Sequence, residues 1–148
     1  MNVYAESSAV LSWLLGEKRA AEVTEVLAAA DEVVASDLTL VESDRALVRL
    51  VALGITPESH AIERRAVLAE AAAAWNRVRV GDAVIERARR PFPHEPFRSL
   101  DALHLSSALV AREGLSDLNV LSLDERLRQN ARALGFVVLP SLRRRART

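Results

Sequence analysis

The chain has 148 residues, half of them hydrophobic, with 20 basic and 20 acidic side chains, no net formal charge and no cysteine. Length and apolar share suit one domain with a sizeable core, while the missing cysteines exclude disulfides, thiolate zinc sites and iron–sulfur clusters. Charge balance excludes coating of nucleic acid by bulk attraction but allows a local basic patch. No apolar run reaches the roughly 20 residues of a membrane span, and no basic signal-peptide start is present, so a soluble cytoplasmic domain is expected.

In chain order, Asn2-Val3-Tyr4-Ala5 opens a short strand over about 2–6, followed by a helix carrying Val10, Leu11, Trp13, Leu14 and Leu15. A second helix is expected over 18–29, a strand over 32–36 and a long helix over 38–53. Thr56-Pro57-Glu58 predicts a helix start with Thr as N-cap and Pro in the first turn, running to about residue 74. The alternating Arg77-Val78-Arg79-Val80 reads as a strand, and a short helix follows from Asp82 to about Arg90. Residues 91–97 contain three prolines and read as a loop. A helix over 99–113 and a strand over 118–122 come next. Ser122-Leu123-Asp124-Glu125 has the capping-box spacing and opens a helix ending at Gly135. A last strand spans 136–139, and residues 141–148 form a basic tail beyond a single domain of 1–140.

Gly16, Gly54, Gly114 and Gly135 each follow an Ala/Leu-rich segment, as helix-ending glycines do. No G-x-G pair occurs, and the one lysine, Lys18, lacks P-loop spacing and the partner hydroxyl, so neither nucleotide-binding fingerprint is present. Strands separated by helices predict a three-layer α/β/α sandwich around a central parallel sheet of about five strands. In such sheets ligands collect beyond the C-terminal strand ends.

Four carboxylates fall at that edge: Glu6 ends the first strand, Glu42 lies early in the helix after the second, Asp101 opens the helix at 99, and Asp124 follows the strand at 118. Each has a purely structural alternative. Asp124 suits a helix cap, Glu42 could pair with Arg45 or Arg49, and Glu6 could cap the first helix, although Ser7 or Ser8 is the better cap. Asp101 is different, because from Leu100 to Val110 the only polar residues are Asp101, His104, Ser106 and Ser107. That helix should be largely buried, and a carboxylate there needs a partner; Arg98 is the nearest base. Four clustered carboxylates repel unless a cation joins them, and an oxygen-only set suits Mg²⁺ or Mn²⁺ in phosphodiester hydrolysis.

These residues resemble the acidic motifs of PIN domains, in order: Tyr4-Ala5-Glu6-Ser7-Ser8-Ala9, Glu42 in its Leu/Val setting, Asp101-Ala102-Leu103-His104-Leu105, and Leu121-Ser122-Leu123-Asp124. The resemblance spans about residues 2–140 and, with the compact length, extends to VapC toxins of toxin–antitoxin pairs. It implies a Mg²⁺- or Mn²⁺-dependent endoribonuclease acting on tRNA or rRNA, silenced by a VapB-type antitoxin and forming a homodimer. Glu6, Glu42, Asp101 and Asp124 would be its catalytic and metal-site acids, Ser8 and Ser122 polar supports, and His104 a core residue. Trp13 could line an antitoxin groove. The family's usual Asp at the first position is here Glu6, longer by roughly 1.5 Å, which keeps open a catalytically weakened RNA- or partner-binding module. With only six aromatic residues, RNA contact should rest on arginines, with Arg87, Arg89, Arg90, Arg98, Arg143, Arg144 and Arg145 as candidates.

Overall fold

Five parallel strands, β1 (Asn2–Ala5), β2 (Glu32–Ser36), β3 (Asn76–Val78), β4 (Leu118–Leu121) and β5 (Val138–Leu139), form one sheet in the order β3-β2-β1-β4-β5. This computed structural model describes residues 1–141, so the candidates Arg143, Arg144 and Arg145 lie outside the described residues. Seven helices connect and flank the strands: α1 (Ser7–Leu15), α2 (Ala20–Ala29), α3 (Asp37–Ala52), α4 (Glu58–Ala73), α5 (Asp82–Ala88), α6 (Ser99–Arg112) and α7 (Glu125–Ala133).

Strand alternation divides the core into two layers. From β1, Tyr4 enters the layer built with Val34, Leu105, Ala108, Val120, Leu127 and Ala131, which seats α6 and α7. Val3 and Ala5 point the other way, towards Ala9, Val23, Val10, Leu14 and Leu68, which seat α1, α2 and α4. Trp13 and Trp75 meet on this second face, their ring centroids 6.3 Å apart. The expected three-layer sandwich is the observed one.

Two start signals act away from where the sequence placed them, by one position at α4 and by two at α7. Pro57, not Thr56, is the N-cap residue of α4, and no side chain caps that helix. At α7 the N-cap is Asp124, whose carboxylate accepts from the Leu127 N–H. Ser122 forms no capping box with Glu125: its hydroxyl oxygen accepts from the Asp124 N–H, and its hydrogen is donated to Glu6. Gly16, Gly54 and Gly135 close their helices at positive φ, but Gly114 does not. The switch point between β1 and its neighbours β2 and β4 opens the edge where Glu6, Ser36 and Ser122 leave the sheet.

Candidate active site

Glu6 is the N-cap residue of α1 and is only 4% exposed. Its Oε1 accepts from the Ser8 N–H at 3.1 Å, and its Oε2 accepts from the Ser122 hydroxyl at 2.7 Å and from the Ser8 hydroxyl. Those two hydroxyls in turn accept from the backbone N–H groups of Leu123 (2.9 Å) and Asp124 (3.1 Å). The first strand end is thereby tied to the turn after β4. A glutamate, rather than Ser7 or Ser8, caps α1 because Ser8 is committed to Glu6 and Ser7 faces inward. The extra methylene lets the side chain curl back over its own helix start.

Glu42, on α3, pairs with neither Arg45 nor Arg49. Its Oε1 accepts from the Ser7 hydroxyl at 3.0 Å and from His104 Nε2 at 2.5 Å. Burial pushes this carboxyl up, but the hydrogen bonds from His104 and Ser7, with the charge of the imidazole, hold it below the ordinary carboxylate range. His104 is buried, as expected for a core residue, yet it does more than fill space: Nδ1 meets the Tyr4 hydroxyl at 2.8 Å and Nε2 also lies 3.0 Å from Ser7 Oγ.

Asp101 and Asp124 have fewer partners. Asp101 sits in the first turn of α6, half-buried, and its pKa is pushed up to about 6 by burial and by the charges of Asp124 and Glu6, against the opposing influence of His104 and Arg98. Asp124 uses Oδ1 to cap α7, so the structural reading of this residue holds for one of its oxygens. Behind the pair lies a residue that the sequence did not single out. Arg128, 1% exposed, donates from Nη1 to the carbonyls of Ser122 (2.5 Å) and Leu139 (3.1 Å) and from Nη2 to that of Pro140 (2.8 Å). It pins the ends of β4 and β5 that carry the site. Its only sequence signal was an arginine four residues after Asp124, which reads equally as a solvated helix charge.

The donor set is oxygen-only and electrostatically unfinished, since burial and two neighbouring carboxylates push the Asp101 pKa up to about 6. A hard divalent cation fits that chemistry. Among the described residues, however, no group of three His, Asp or Glu side chains is already gathered closely enough to hold one. Glu6 and Glu42 are turned to protein donors. Asp101, Asp124 and Glu6, with Glu42, are the residues that would hold the ion.

Of the arginine candidates, Arg98 is the exposed N-cap residue of α6, three residues before Asp101. Arg89 pairs with Glu86 at 3.1 Å, and Arg87 donates to the Pro91 carbonyl and stacks over Phe92, its guanidinium carbon 4.3 Å from the ring centroid. Arg90 is exposed.

The PIN domain family matches residues 3–133. Comparison with curated proteins gives no match. Among solved structures the chain is similar to VapC20 of Mycobacterium tuberculosis, a sarcin–ricin-loop-cleaving toxin, with a TM-score of 0.63 and 18% identity over 91% of this chain and 96% of that one. At that identity the likeness concerns the fold.

Proposed function

The chain belongs to the PIN-domain family, and from that premise we propose that it is a Mg²⁺- or Mn²⁺-dependent endoribonuclease, the toxin of a toxin–antitoxin pair, cutting structured RNA such as tRNA or rRNA. One observation carries the reading: at the C-terminal sheet edge Asp101 feels the charges of both Asp124 and Glu6, and with its burial these outweigh the opposing influence of His104 and Arg98. When bound, a divalent ion there supplies an activated water and neutralises charge on the phosphate.

The chain's own residues do the rest. Ser8 and Ser122 orient Glu6, Asp124 is fixed by its capping bond, and Arg128 holds the Ser122 carbonyl. Arg98 is placed to meet a phosphate beside Asp101, with Arg90 and the tail arginines as further contacts. A VapB-type antitoxin and a homodimer complete the proposal, in the cytoplasm; no helix among the described residues is long and apolar enough to cross a membrane.

A second reading is favoured by the state of Glu6, both of whose oxygens are taken by Ser8 and Ser122: a PIN-like module that binds RNA or a partner without cutting. Incubation with total tRNA in Mg²⁺ or Mn²⁺, beside an EDTA control and Asp101→Asn, separates the two. Cleavage lost in both controls supports the nuclease; RNA bound but never cut supports the module.

A further inference from the structure

His104 lies in the most deeply buried stretch of α6, between Leu103 and Leu105, where an aliphatic side chain would pack without leaving a polar atom to satisfy. Instead the ring spans the interior. Its Nδ1 is 2.8 Å from the hydroxyl of Tyr4 on β1, and its Nε2 is 2.5 Å from Glu42 Oε1 on α3 and 3.0 Å from Ser7 Oγ at the start of α1. Four elements that are 97, 62 and 100 positions apart in chain pairing therefore meet on one imidazole.

The donors can be assigned by counting. Glu42 Oε1 is a carboxylate oxygen and only accepts, so its contact with the ring requires a proton on Nε2, while the Tyr4 phenol, kept protonated by burial, sits against Nδ1. The ring proton is then on Nε2 and donates to Glu42. The Ser7 hydroxyl donates to the same carboxylate oxygen. Oε1 of Glu42 thus receives two donors, while none of the described hydrogen bonds reaches its Oε2.

We propose that His104 is a positioning residue for this site: buried between Tyr4 and Glu42, it fixes one oxygen of Glu42 and leaves the other to the cation and substrate. The inference rests on the nuclease reading for its consequence in cleavage, but not for its consequence in metal binding. It predicts that the hydrogen-bond donor, rather than the ring's bulk, is what the site needs. Partners that orient a metal-binding carboxylate typically change metal affinity or activity by about 10- to 100-fold when removed.

The test compares the wild type with His104→Leu, His104→Gln and Tyr4→Phe, each checked for folding by circular dichroism and thermal melting. Mn²⁺ affinity is measured by calorimetry on the metal-free protein, and kcat and KM on tRNA. His104→Leu should weaken Mn²⁺ binding about 10-fold and lower kcat by about 10- to 100-fold with KM little changed. His104→Gln, whose amide can donate to Glu42, should recover most of that loss. Tyr4→Phe should have a smaller effect, because it removes only the brace behind the ring. Folded His104→Leu with wild-type Mn²⁺ affinity and kcat would overturn the proposal. So would a Gln variant that is folded and as impaired as Leu. If His104→Leu does not fold, the comparison of Gln with Asn decides: Asn is too short to reach Glu42 and should lose what Gln keeps, and equal behaviour of the two would again overturn it. A wild type that binds Mn²⁺ but cuts no RNA removes the nuclease reading while the affinity comparison still stands.

Discussion

The two halves of the acidic edge are built differently. On the side of β1 and α3, Glu6 and Glu42 are each satisfied by protein donors: Glu6 by Ser8 and Ser122, Glu42 by Ser7 and His104. On the side of α6 and α7, Asp101 has no such donor among the described residues and Asp124 spends one oxygen on a helix cap. The first half is held in place whether or not an ion is present. The second carries the electrostatic strain that an ion would relieve. Identical chemistry thus separates into a preorganised part and a receptive part, which under the proposed nuclease reading would together hold the ion.

Removing the receptive half should have the largest effect. Asp101→Asn should lower RNA cleavage by about 1,000-fold or more, since a catalytic cation contributes several kcal/mol of transition-state stabilisation. The fold should survive, because the substitution relieves repulsion rather than breaking a bond. Cleavage assays beside a thermal melt check both halves of this statement; a variant that keeps its activity would mean that the strain at Asp101 has nothing to do with chemistry.

The preorganised half is sharpened by Glu6→Asp. Aspartate is itself a good N-cap, so α1 should remain capped, but the shorter side chain cannot hold Ser8 and Ser122 as Glu6 does. We expect Mg²⁺ affinity, read by calorimetry, to rise about 10-fold, with a matching gain in Mg²⁺-supported cleavage. An unchanged affinity would mean that Glu6 serves α1 and the β4 turn alone.

That division was only partly legible in the sequence. Hydrophobic periodicity and glycine punctuation located all five strands and seven helices, and the strand-end rule brought Glu6, Glu42, Asp101 and Asp124 to one edge. What each carboxylate touches could not be read, because the donors come from far along the chain: Ser122 reaches Glu6 across 116 positions and His104 reaches Glu42 across 62. Local pairing rules pointed Glu42 at Arg45 or Arg49, and a buried imidazole won. Arg128 was hidden for the same reason, since its hydrogen bonds go to backbone carbonyls, which carry no residue-type signal, and its 3.8 Å ion pair with Glu125 is of the kind any surface helix makes.

A smaller effect should appear in pH dependence. The folded-state pKa of Asp101, about 6, lies above the unfolded value of 3.8, so between these the native chain binds more protons. Stability should therefore fall as pH rises through this window, and the loss should be complete above it. Asp101 is half-buried and its repulsion is screened, so the effect is about 1 kcal/mol, or roughly 3 °C in Tm for a chain of this size. Asp101→Asn should melt higher than the wild type at pH 8 and equally at pH 4. Added Mg²⁺ should close the gap at pH 8; a gap that ignores Mg²⁺ would place the repulsion outside the ion's reach. Cleavage should rise as pH climbs through about 6 and Asp101 ionises.

The smallest expected effect concerns the border of the receptive half. Arg98 is exposed and lowers the pKa of Asp101 beside it, but it has no ion-pair partner among the described residues, whereas Arg89 is tied to Glu86 at 3.1 Å. An arginine already paired releases little when it meets a phosphate, and an unpaired one contributes a whole charge. Arg98→Ala should therefore weaken RNA binding a few-fold and reduce the slope of log affinity against log salt by about 0.7–0.9, the value of one phosphate contact. Arg89→Ala should change that slope by less. Binding titrations across a range of salt, with Asp101→Asn as the non-cutting background, measure both. Equal slopes for the two variants would show that the ion pair with Glu86 opens at no cost, and would leave the placement of Arg98 beside Asp101 without a role in substrate contact.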